Sequence, residues 1–250
     1  MNTDLSEKLK LAETEILNLQ NALAKRDAYI KNTFGRYLTD EVLEEILSSE
    51  CGTDVGGARR KVSILFADLR GSTEISERMD AGDFIRMFNH FLETMIEIIN
   101  SWQGNILDFV GDEIVVVFGA PRDNENSARD AVACAVAMQR RMDAINRWNL
   151  EQGYPEISMG IGLHTGEAIL GNIGSPIRTK YDMIGRNVNL TSRIEGFTKG
   201  GQILISAETL AEAGEMVIID EAGTMTVRPK GIQSDIRVYN VIGFGSQRLF

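Results

Sequence analysis

Two aspartates occupy turns at strand ends, where carboxylates can bind metal ions. Asp68 ends the apolar run KVSILFAD, and the chain then turns through LRGST into a predicted helix. Asp112 follows Gly111 between the runs ILDFV and EIVVVF, and a Gly-Asp pair there is typical of a two-residue β-hairpin. If this hairpin pairs with the first strand, the two carboxylates converge. Such hard oxygen ligands suit two Mg²⁺ or Mn²⁺ ions shared with phosphate oxygens.

The same residues also allow simpler roles. Asp68 could cap the following helix and Asp112 could be an ordinary turn residue, because acids are frequent at turns. The backbone N–H groups of LRGST, at the start of that helix, would favour a phosphate beside the first aspartate. The spacing alone leaves metal binding and the structural roles open.

Three further polar residues could contact phosphate. Asn189 and Arg193 are four residues apart on a predicted helix, so both point to one face. An amide and a guanidinium aimed together suit a phosphoryl group that gains charge in its transition state, and an ordinary solvated helix face is the alternative. Lys230, in RPKGI, could bind phosphate as a point charge or lie on the surface.

Other catalytic constellations are absent from the sequence. It contains neither G-x-x-x-x-G-K-[ST] nor G-x-G-x-x-G. His90 and His164 have no second histidine or cysteine nearby, so both are predicted to be structural. Cys51 and Cys134 match no zinc spacing and are predicted to be reduced thiols. Nucleophile–base catalysis therefore has no candidate.

Size and charge narrow the classes of function. The chain of 250 residues is 43% hydrophobic, so it can bury a sizeable core. Its net charge of −10 argues against non-specific binding to nucleic acid or to anionic membranes. The start MNTDLSEKLK is not a signal peptide, and no apolar run approaches a membrane span. We therefore expect a soluble, cytoplasmic protein.

Residues 1–31 are predicted to form a helix with a coiled-coil seam. They contain no Gly or Pro and show two apolar heptad series. The first series is Leu9, Ile16, Leu23 and Ile30, and the second is Leu5, Ala12 and Leu19, with Arg26 as a break. This pattern favours a short parallel dimeric coiled coil, and a single amphipathic helix lying on its own domain is the alternative.

The rest of the chain is predicted to have three parts. Residues 32–59 contain a second short helix and a Gly-rich linker, residues 60–242 form a globular domain, and residues 243–250 form a tail. Strands and helices alternate in the globular domain, with separate strands at ISMGIGLHTG and EAILGNIG and a helix at GRNVNLTSRIEGF. This order predicts an α+β fold with helices on one face of the sheet.

Taken together, four stretches within residues 60–242 resemble the class III nucleotidyl cyclase catalytic domain. ILFADLRGST is similar to its first metal-binding strand and turn, and GNILDFVGDE to its second. YDMIGRNVNLTSRIEG resembles its segment for base recognition and the transition state, and RPKGI its triphosphate-lysine segment. Several motifs in the right order are more specific than a single match. The resemblance implies a ferredoxin-like βαββαβ core and a lyase that forms cyclic nucleotide and pyrophosphate.

The resemblance also implies roles for individual residues. Asp68, Leu69 and Asp112 would bind two divalent cations, Mg²⁺ or Mn²⁺. Asn189 would orient the ribose, Arg193 would stabilise the transition state, and Lys230 would bind the triphosphate. Leu69, Gly71, Ser72 and Thr73 would also contact the substrate. Because the family builds each site from two catalytic domains, a homodimer of this chain, joined also by the coiled coil, would have two complete sites.

The residues that would recognise the base give a mixed code. Adenylate cyclases usually have a lysine at the place of Asp108 and an acid at the place of Asp182. Guanylate cyclases typically have a glutamate at the first place and no acid at the second. An unmatched buried acceptor costs about 1–3 kcal/mol, enough to shift selectivity by one or two decades. We expect ATP to be the substrate, since YDMIG resembles the adenylate type, with GTP as the alternative.

Two other interpretations compete with an active cyclase. A degenerate homologue would be a nucleotide-binding or dimerisation module, but no metal acid, asparagine or arginine of the motifs is lost. The chain could also be the output part of a longer receptor, because the coiled coil and linker helix resemble elements that follow a sensor in this family. An upstream sensor domain is then expected outside this chain.

Overall fold

The computed structural model describes residues 2–35, 39–48, 54–228 and 235–249, and it divides into two compact units, Met1–Gly52 and Thr53–Phe250. The first unit contains helices α1 (Asn2–Phe34) and α2 (Asp40–Ser48). The predicted N-terminal helix is therefore confirmed, and the seam residues Leu9, Ile16, Leu19 and Leu23 are exposed to solvent. Pairing of α1 with a second copy stays a prediction. Among the described helices, none has the length and apolar character that a membrane span needs.

The second unit is an α+β fold whose sheet has nine strands within the described residues. The strands are β1 (Gly56–Arg70), β2 (Asn105–Val110), β3 (Glu113–Phe118), β4 (Ser158–Ser175), β5 (Arg178–Ile184), β6 (Ile203–Ser206), β7 (Val217–Val227), β8 (Ile236–Phe244) and β9 (Gln247–Arg248). The helices are α3 (Ser72–Arg78), α4 (Ala81–Ser101), α5 (Ser127–Glu151), α6 (Arg186–Glu195) and α7 (Ala207–Ala213). The strand order is β2-β3-β1-β4-β6-β8-β7, with β5 paired to β4 and β9 to β8.

This sheet is mostly antiparallel, and β4–β6 is the parallel pair among the described strands. The mixed arrangement confirms the predicted α+β class. Strand β1 lies between β3 and β4, so it occupies a central position and both of its faces are covered.

Alternation along the strands divides the core between the two faces of the sheet. On one face, Leu65 of β1 and Ile203 of β6 belong to the cluster that includes α4, α5 and α7. On the other face, Ile64 packs with residues of β3 and β5, and Leu204 packs with α6. Helices α4, α5 and α7 thus share one face as expected, and α6 additionally covers part of the opposite face.

One strand differs from its prediction because a glycine has another function. The segments ISMGIGLHTG and EAILGNIG form a single strand, β4, of 18 residues. It pairs with β1 from Gly56↔Asn172 to Arg70↔Ser158. At Gly166, a Cβ atom would come within 2.4 Å of the Asn187 side chain. This glycine permits the close approach of α6 and does not mark a turn.

Segments outside the predicted domain core also join the sheet. The predicted linker contributes its last residues to β1, which begins at Gly56. The predicted tail contains β9, which pairs with β8. Within the predicted domain, the structure adds one strand that was not predicted, β5 (Arg178–Ile184), which pairs with the C-terminal end of β4.

The histidines and the described cysteine have structural surroundings. His164 is buried, its Nδ1 lies 2.8 Å from Ser206 Oγ, and burial lowers its pKa. The ring of His90 lies 4.0 Å from the ring of Trp148, centroid to centroid. Cys134 is a free, buried thiol whose pKa is raised by burial. Cys51 lies outside the described residues.

The core position of α4 gives a test of the fold with a matched control. Ile99 is fully buried, whereas Ile85 on the same helix is 53% exposed. We expect Ile99→Ala to lower the free energy of unfolding by about 2–5 kcal/mol, because it leaves a cavity. Ile85→Ala should change it by less than about 1 kcal/mol. Urea unfolding of both variants measures the difference, and equal losses would contradict this packing.

Candidate active site

The predicted hairpin is confirmed and lies beside the central strand. Strands β2 and β3 are joined by Gly111 and Asp112, and Gly111 has a φ of 67°, which suits glycine. Strand β3 pairs with β1 with Ala67 opposite Ile114. Asp68, the next residue of β1, therefore lies close to Asp112 at the same end of the sheet.

The two aspartates influence each other strongly. The pKa of Asp68 is raised to about 6, first by burial and then by the charge of Asp112 and a hydrogen bond with it. Asp112 Oδ2 is buried and has no hydrogen-bond partner within the part of the chain that the structure describes. Two mutually repelling carboxylates with an unpartnered oxygen fit a divalent cation, which would remove the repulsion.

A cation here would need ligands beyond these side chains. The described residues contain no group of three or more His, Cys, Asp or Glu side chains that could hold a metal. The side chain of Leu69 is buried in the core, so its carbonyl oxygen is the group it could offer. Phosphate oxygens and water would complete the coordination, as is usual for Mg²⁺ in nucleotide sites.

Two glutamates that lie within the quoted motifs, but for which no role was predicted, extend this acidic cluster. The pKa of Glu113 is raised to about 7 by burial and by the charges of Glu195, Asp68 and Asp112. The pKa of Glu195 is also raised by burial, and the Arg70 guanidinium opposes that shift. Glu113 is the first residue of β3 and directly follows the Gly-Asp turn, and this position is the signal that could have indicated it.

Arg70 connects the acids on two different elements. Its Nη1 donates to Asp68 Oδ2 over 3.2 Å, and its Nη2 donates to the Glu195 carboxylate and, over 2.6 Å, to Thr198 Oγ1. Arg70 and Asp68 are two residues apart on β1, so they share a face of the strand. Glu195 is the last residue of α6, so this network ties α6 to the end of β1.

The two acids predicted to recognise the base lie on either side of a lysine. Lys180 Nζ lies 2.6 Å from Asp108 Oδ2 and 3.6 Å from Asp182 Oδ2. All three side chains are partly exposed to solvent. Lys180 is not part of the motifs quoted above, although its position two residues before Asp182 on a strand places both on one face.

The predicted transition-state residues are not joined to the aspartates within one chain. Asn189 is exposed and Arg193 is half-buried on α6. Neither side chain has a hydrogen-bond or ion-pair partner in the described parts of the chain. Lys230 lies outside the described residues.

The predicted phosphate-contacting residues follow β1 directly. Gly71 has a φ of 73° and precedes α3, which starts at Ser72 and Thr73 and has only seven residues. Their contact with substrate stays a prediction.

Solved structures similar to this chain include a guanylyl cyclase and an adenylyl cyclase. The guanylyl cyclase Cya2 is 42% identical with a TM-score of 0.75, and the match covers 78% of this chain and 100% of that chain. The adenylyl cyclase CyaB from P. aeruginosa is 32% identical with a TM-score of 0.73, and the match covers 77% of this chain and 99% of that chain.

Curated relatives extend the comparison beyond the catalytic unit. Adenylate cyclase 1 of Rhizobium meliloti is 30% identical over 92% of this chain and 34% of its own length. Adenylate cyclase of Anabaena cylindrica is 30% identical over 96% of this chain and 47% of its own length. The chain thus spans between a third and a half of these relatives.

A family model matches most of the second unit. The model of the adenylate and guanylate cyclase catalytic domain matches residues 57–243, which include β1 and the hairpin. The chain belongs to the adenylate and guanylate cyclase catalytic domain family.

Proposed function

We propose that this chain is an adenylate cyclase that converts ATP to 3′,5′-cyclic AMP and pyrophosphate at sites shared across a homodimer. The observation that carries the proposal is the convergence of Asp68 and Asp112, with Asp112 Oδ2 buried and unpartnered among the described residues. In the reaction the ribose 3′-oxygen bonds to the α-phosphorus, the bond from that phosphorus to the bridging oxygen breaks, and pyrophosphate leaves with that oxygen.

The aspartates would hold two divalent cations together with the carbonyl of Leu69. When bound, these cations neutralise the phosphates and lower the pKa of the attacking hydroxyl. With these cations bound, Asp68 and Asp112 would hold the triphosphate end of the substrate near the end of β1. Their partial burial strengthens each electrostatic contact, because little water is available to screen it.

A second subunit would supply the remaining groups. Asn189 and Arg193 have no side-chain partner in the described parts of one chain, which leaves them available to a substrate held by the other subunit. Asn189 would orient the ribose and Arg193 would stabilise the charge that develops on the phosphoryl oxygens. Because each chain carries both sets, a two-fold symmetric dimer has two complete sites.

Lys180 supports ATP as the substrate. Adenine presents a ring-nitrogen acceptor and a 6-amino donor on its pairing edge. Lys180 can donate to the ring nitrogen while Asp182 accepts from the amino group. Asp108, 2.6 Å from the same ammonium group, then holds the lysine in place and does not face the base unmatched.

GTP is the second candidate, and Asp108 favours it. A carboxylate can accept from the N1 and 2-amino groups of guanine, and Lys180 could donate to the 6-oxygen. The lysine would then separate that oxygen from Asp182, which removes the repulsion between two acceptors. The 42% identity to the guanylyl cyclase Cya2 supports the same candidate.

Metal binding can be tested without turnover. At pH 7.5, above the pKa of about 6 for Asp68, we expect Mn²⁺ to raise the unfolding temperature of the chain. At pH 5 the increase should be much smaller, because protons compete for the raised-pKa carboxyl. Asp68→Asn and Asp112→Asn should abolish the increase and lower cyclase activity by about 100-fold or more.

The exposed Asp143 of α5 provides the control for these variants. Asp143→Asn should keep both the Mn²⁺ effect and the activity. An unchanged Mn²⁺ effect in Asp68→Asn would show that these aspartates are not the metal ligands.

Base recognition can be tested by product chromatography with ATP and GTP in parallel. We expect cyclic AMP to dominate, and Lys180→Met to lower kcat/KM for ATP by about tenfold or more, since it leaves Asp108 and Asp182 without their donor. The control is Lys61→Met, which removes an exposed lysine paired with Glu212. Dominant cyclic GMP from the unmodified chain would favour the second candidate, and an unaltered ATP-to-GTP ratio in Lys180→Met would exclude this lysine from base recognition.

The coiled coil can be tested with two equally exposed residues of α1. Ile16 lies in the predicted seam and is 55% exposed, whereas Leu17 lies outside the seam and is 57% exposed. Ile16→Asp should weaken dimerisation and lower activity at low protein concentration, because a charge enters the seam. Leu17→Asp should change neither. Sedimentation velocity measures the dimer fraction of both variants, and equal dimer fractions would favour a single helix over a coiled coil.

A further inference from the structure

One charged side chain at the site has no role in the reaction proposed above. Arg70, the last residue of β1, is mostly buried, with 27% of its side chain exposed. Its guanidinium reaches Asp68 with one nitrogen and Glu195 and Thr198 with the other. A planar fork of donors can hold two carboxylates at once, which a lysine ammonium does less well.

The far end of this network is a rigid part of the fold. Glu195 is only 5% exposed, so its carboxylate depends on Arg70 for charge compensation. Nη2 of Arg70 also donates to the backbone carbonyl of Glu195 over 3.3 Å, and Thr198 Oγ1 donates to that carbonyl over 2.7 Å. The end of α6 is therefore fixed by its main chain as well as by its side chain.

Two glycines of β4 leave the space in which this contact forms. A Cβ atom at Gly160 would come within 2.0 Å of Thr198 Oγ1 and 2.3 Å of Arg70 Nη2. A Cβ atom at Gly162 would come within 2.4 Å of the Glu195 backbone nitrogen. The end of α6 and the guanidinium thus fit closely against the strand.

The same helix carries the residues assigned to the partner's site. Arg193 is two residues and Asn189 six residues before Glu195 on α6, a single helix of ten residues. A shift of Glu195 relative to β1 therefore changes the position of both side chains. At its other end the network holds Asp68, which serves the chain's own set of metal ligands.

We propose that Arg70 is a positioning residue that ties the metal-binding aspartate of one active site to the helix that serves the other active site. The inference rests on the proposed sharing of sites between two subunits. Within each chain, Arg70 links two half-sites that belong to different reaction centres. The dimer then has two such links, and each transmits the state of one site to the other.

Two simpler roles make different predictions. If Arg70 only compensates the charge of Asp68, its loss affects the site to which that aspartate belongs. If Arg70 only stabilises the fold, its loss lowers stability and affects both sites equally. Separating these roles requires a dimer in which only one of the two sites is catalytically competent.

Such a dimer can be made from two differently tagged chains. Subunit one carries Asp112→Asn and keeps its α6 intact; subunit two carries Asn189→Ala and keeps its aspartates. The heterodimer has one live site, built from the aspartates of subunit two and α6 of subunit one. Arg70→Met is then placed in either subunit, and kcat and the Mn²⁺ concentration at half-maximal rate are measured.

The two placements should give different results. In subunit one, which donates the helix, we expect kcat to fall by about tenfold with the Mn²⁺ dependence unchanged. In subunit two, which donates the aspartates, we expect the half-saturating Mn²⁺ concentration to fall by about threefold or more, because a competing cation beside Asp68 is gone. Arg70→Lys should restore the Mn²⁺ dependence in subunit two but not kcat in subunit one.

Two further variants control for the loss of an arginine on β1 and for misfolding. Arg59→Met removes an exposed arginine of the same strand, paired with Glu167 at 3.2 Å, and should change neither quantity. If Arg70→Met alone does not fold, Arg70→Met/Glu195→Gln removes the unpaired buried charge and should give the same two results.

Three outcomes would overturn the inference. A kcat within twofold of the parent heterodimer, with Arg70→Met folded in subunit one, would exclude the link to the partner's site. Equal losses from both placements with unchanged Mn²⁺ dependence would assign Arg70 to the fold alone. An inactive parent heterodimer, alongside an active unmodified homodimer, would refute shared sites and the link with them.

Discussion

The rest of the structure depends on the partial burial of carboxylates at the end of the central strand. Asp68 and Asp112 approach each other where water screens their charges poorly, so burial and the charge of Asp112 raise the pKa of Asp68. Among the described residues, Arg70 is the cationic side chain paired with Asp68, and one oxygen of Asp112 has no hydrogen-bond partner. The acidic cluster is therefore compensated only in part by the protein itself. That deficit of positive charge favours a divalent cation, which is the physical basis of the metal site proposed above.

The charges to which we assign nucleotide choice are more exposed than the acidic cluster. Lys180 lies between Asp108 and Asp182 on strands that meet near the edge of the site. Because the ammonium group can serve as donor to adenine or to guanine, the lysine makes the two acids compatible with either base. A guanylyl cyclase and an adenylyl cyclase resemble this chain with TM-scores of 0.75 and 0.73, so the fold does not distinguish the two activities. Under this proposal, selectivity would depend on which of the two acids keeps its contact with the lysine when a base binds.

Local chemistry allowed parts of this site to be predicted from sequence. The Gly-Asp turn and the acid at the strand end identified Asp112 and Asp68, because turn residues carry their own signal. Lys180 lies outside the quoted motifs, and Arg70 lies within ILFADLRGST without an assigned role, because the contacts of both residues join distant segments. Strand β4 was divided at Gly166 because glycine also marks turns, whereas here it admits Asn187. The partners of Asn189 and Arg193 could not be predicted as contacts within one chain, since the described chain provides none.

The unbroken course of β4 has a consequence for how such a catalytic domain can evolve. One end of the strand carries Gly160, which fits against Arg70 and Thr198, and the other end pairs with the β5 residues around Asp182. An inserted residue between these ends would reverse the faces of everything beyond it. Insertions and deletions in β4 are therefore not tolerated, whereas substitutions on the exposed face of β5 disturb little packing. We therefore expect new substrate preferences to arise by substitutions on β5, while the end of β4 that carries Gly160 stays unchanged.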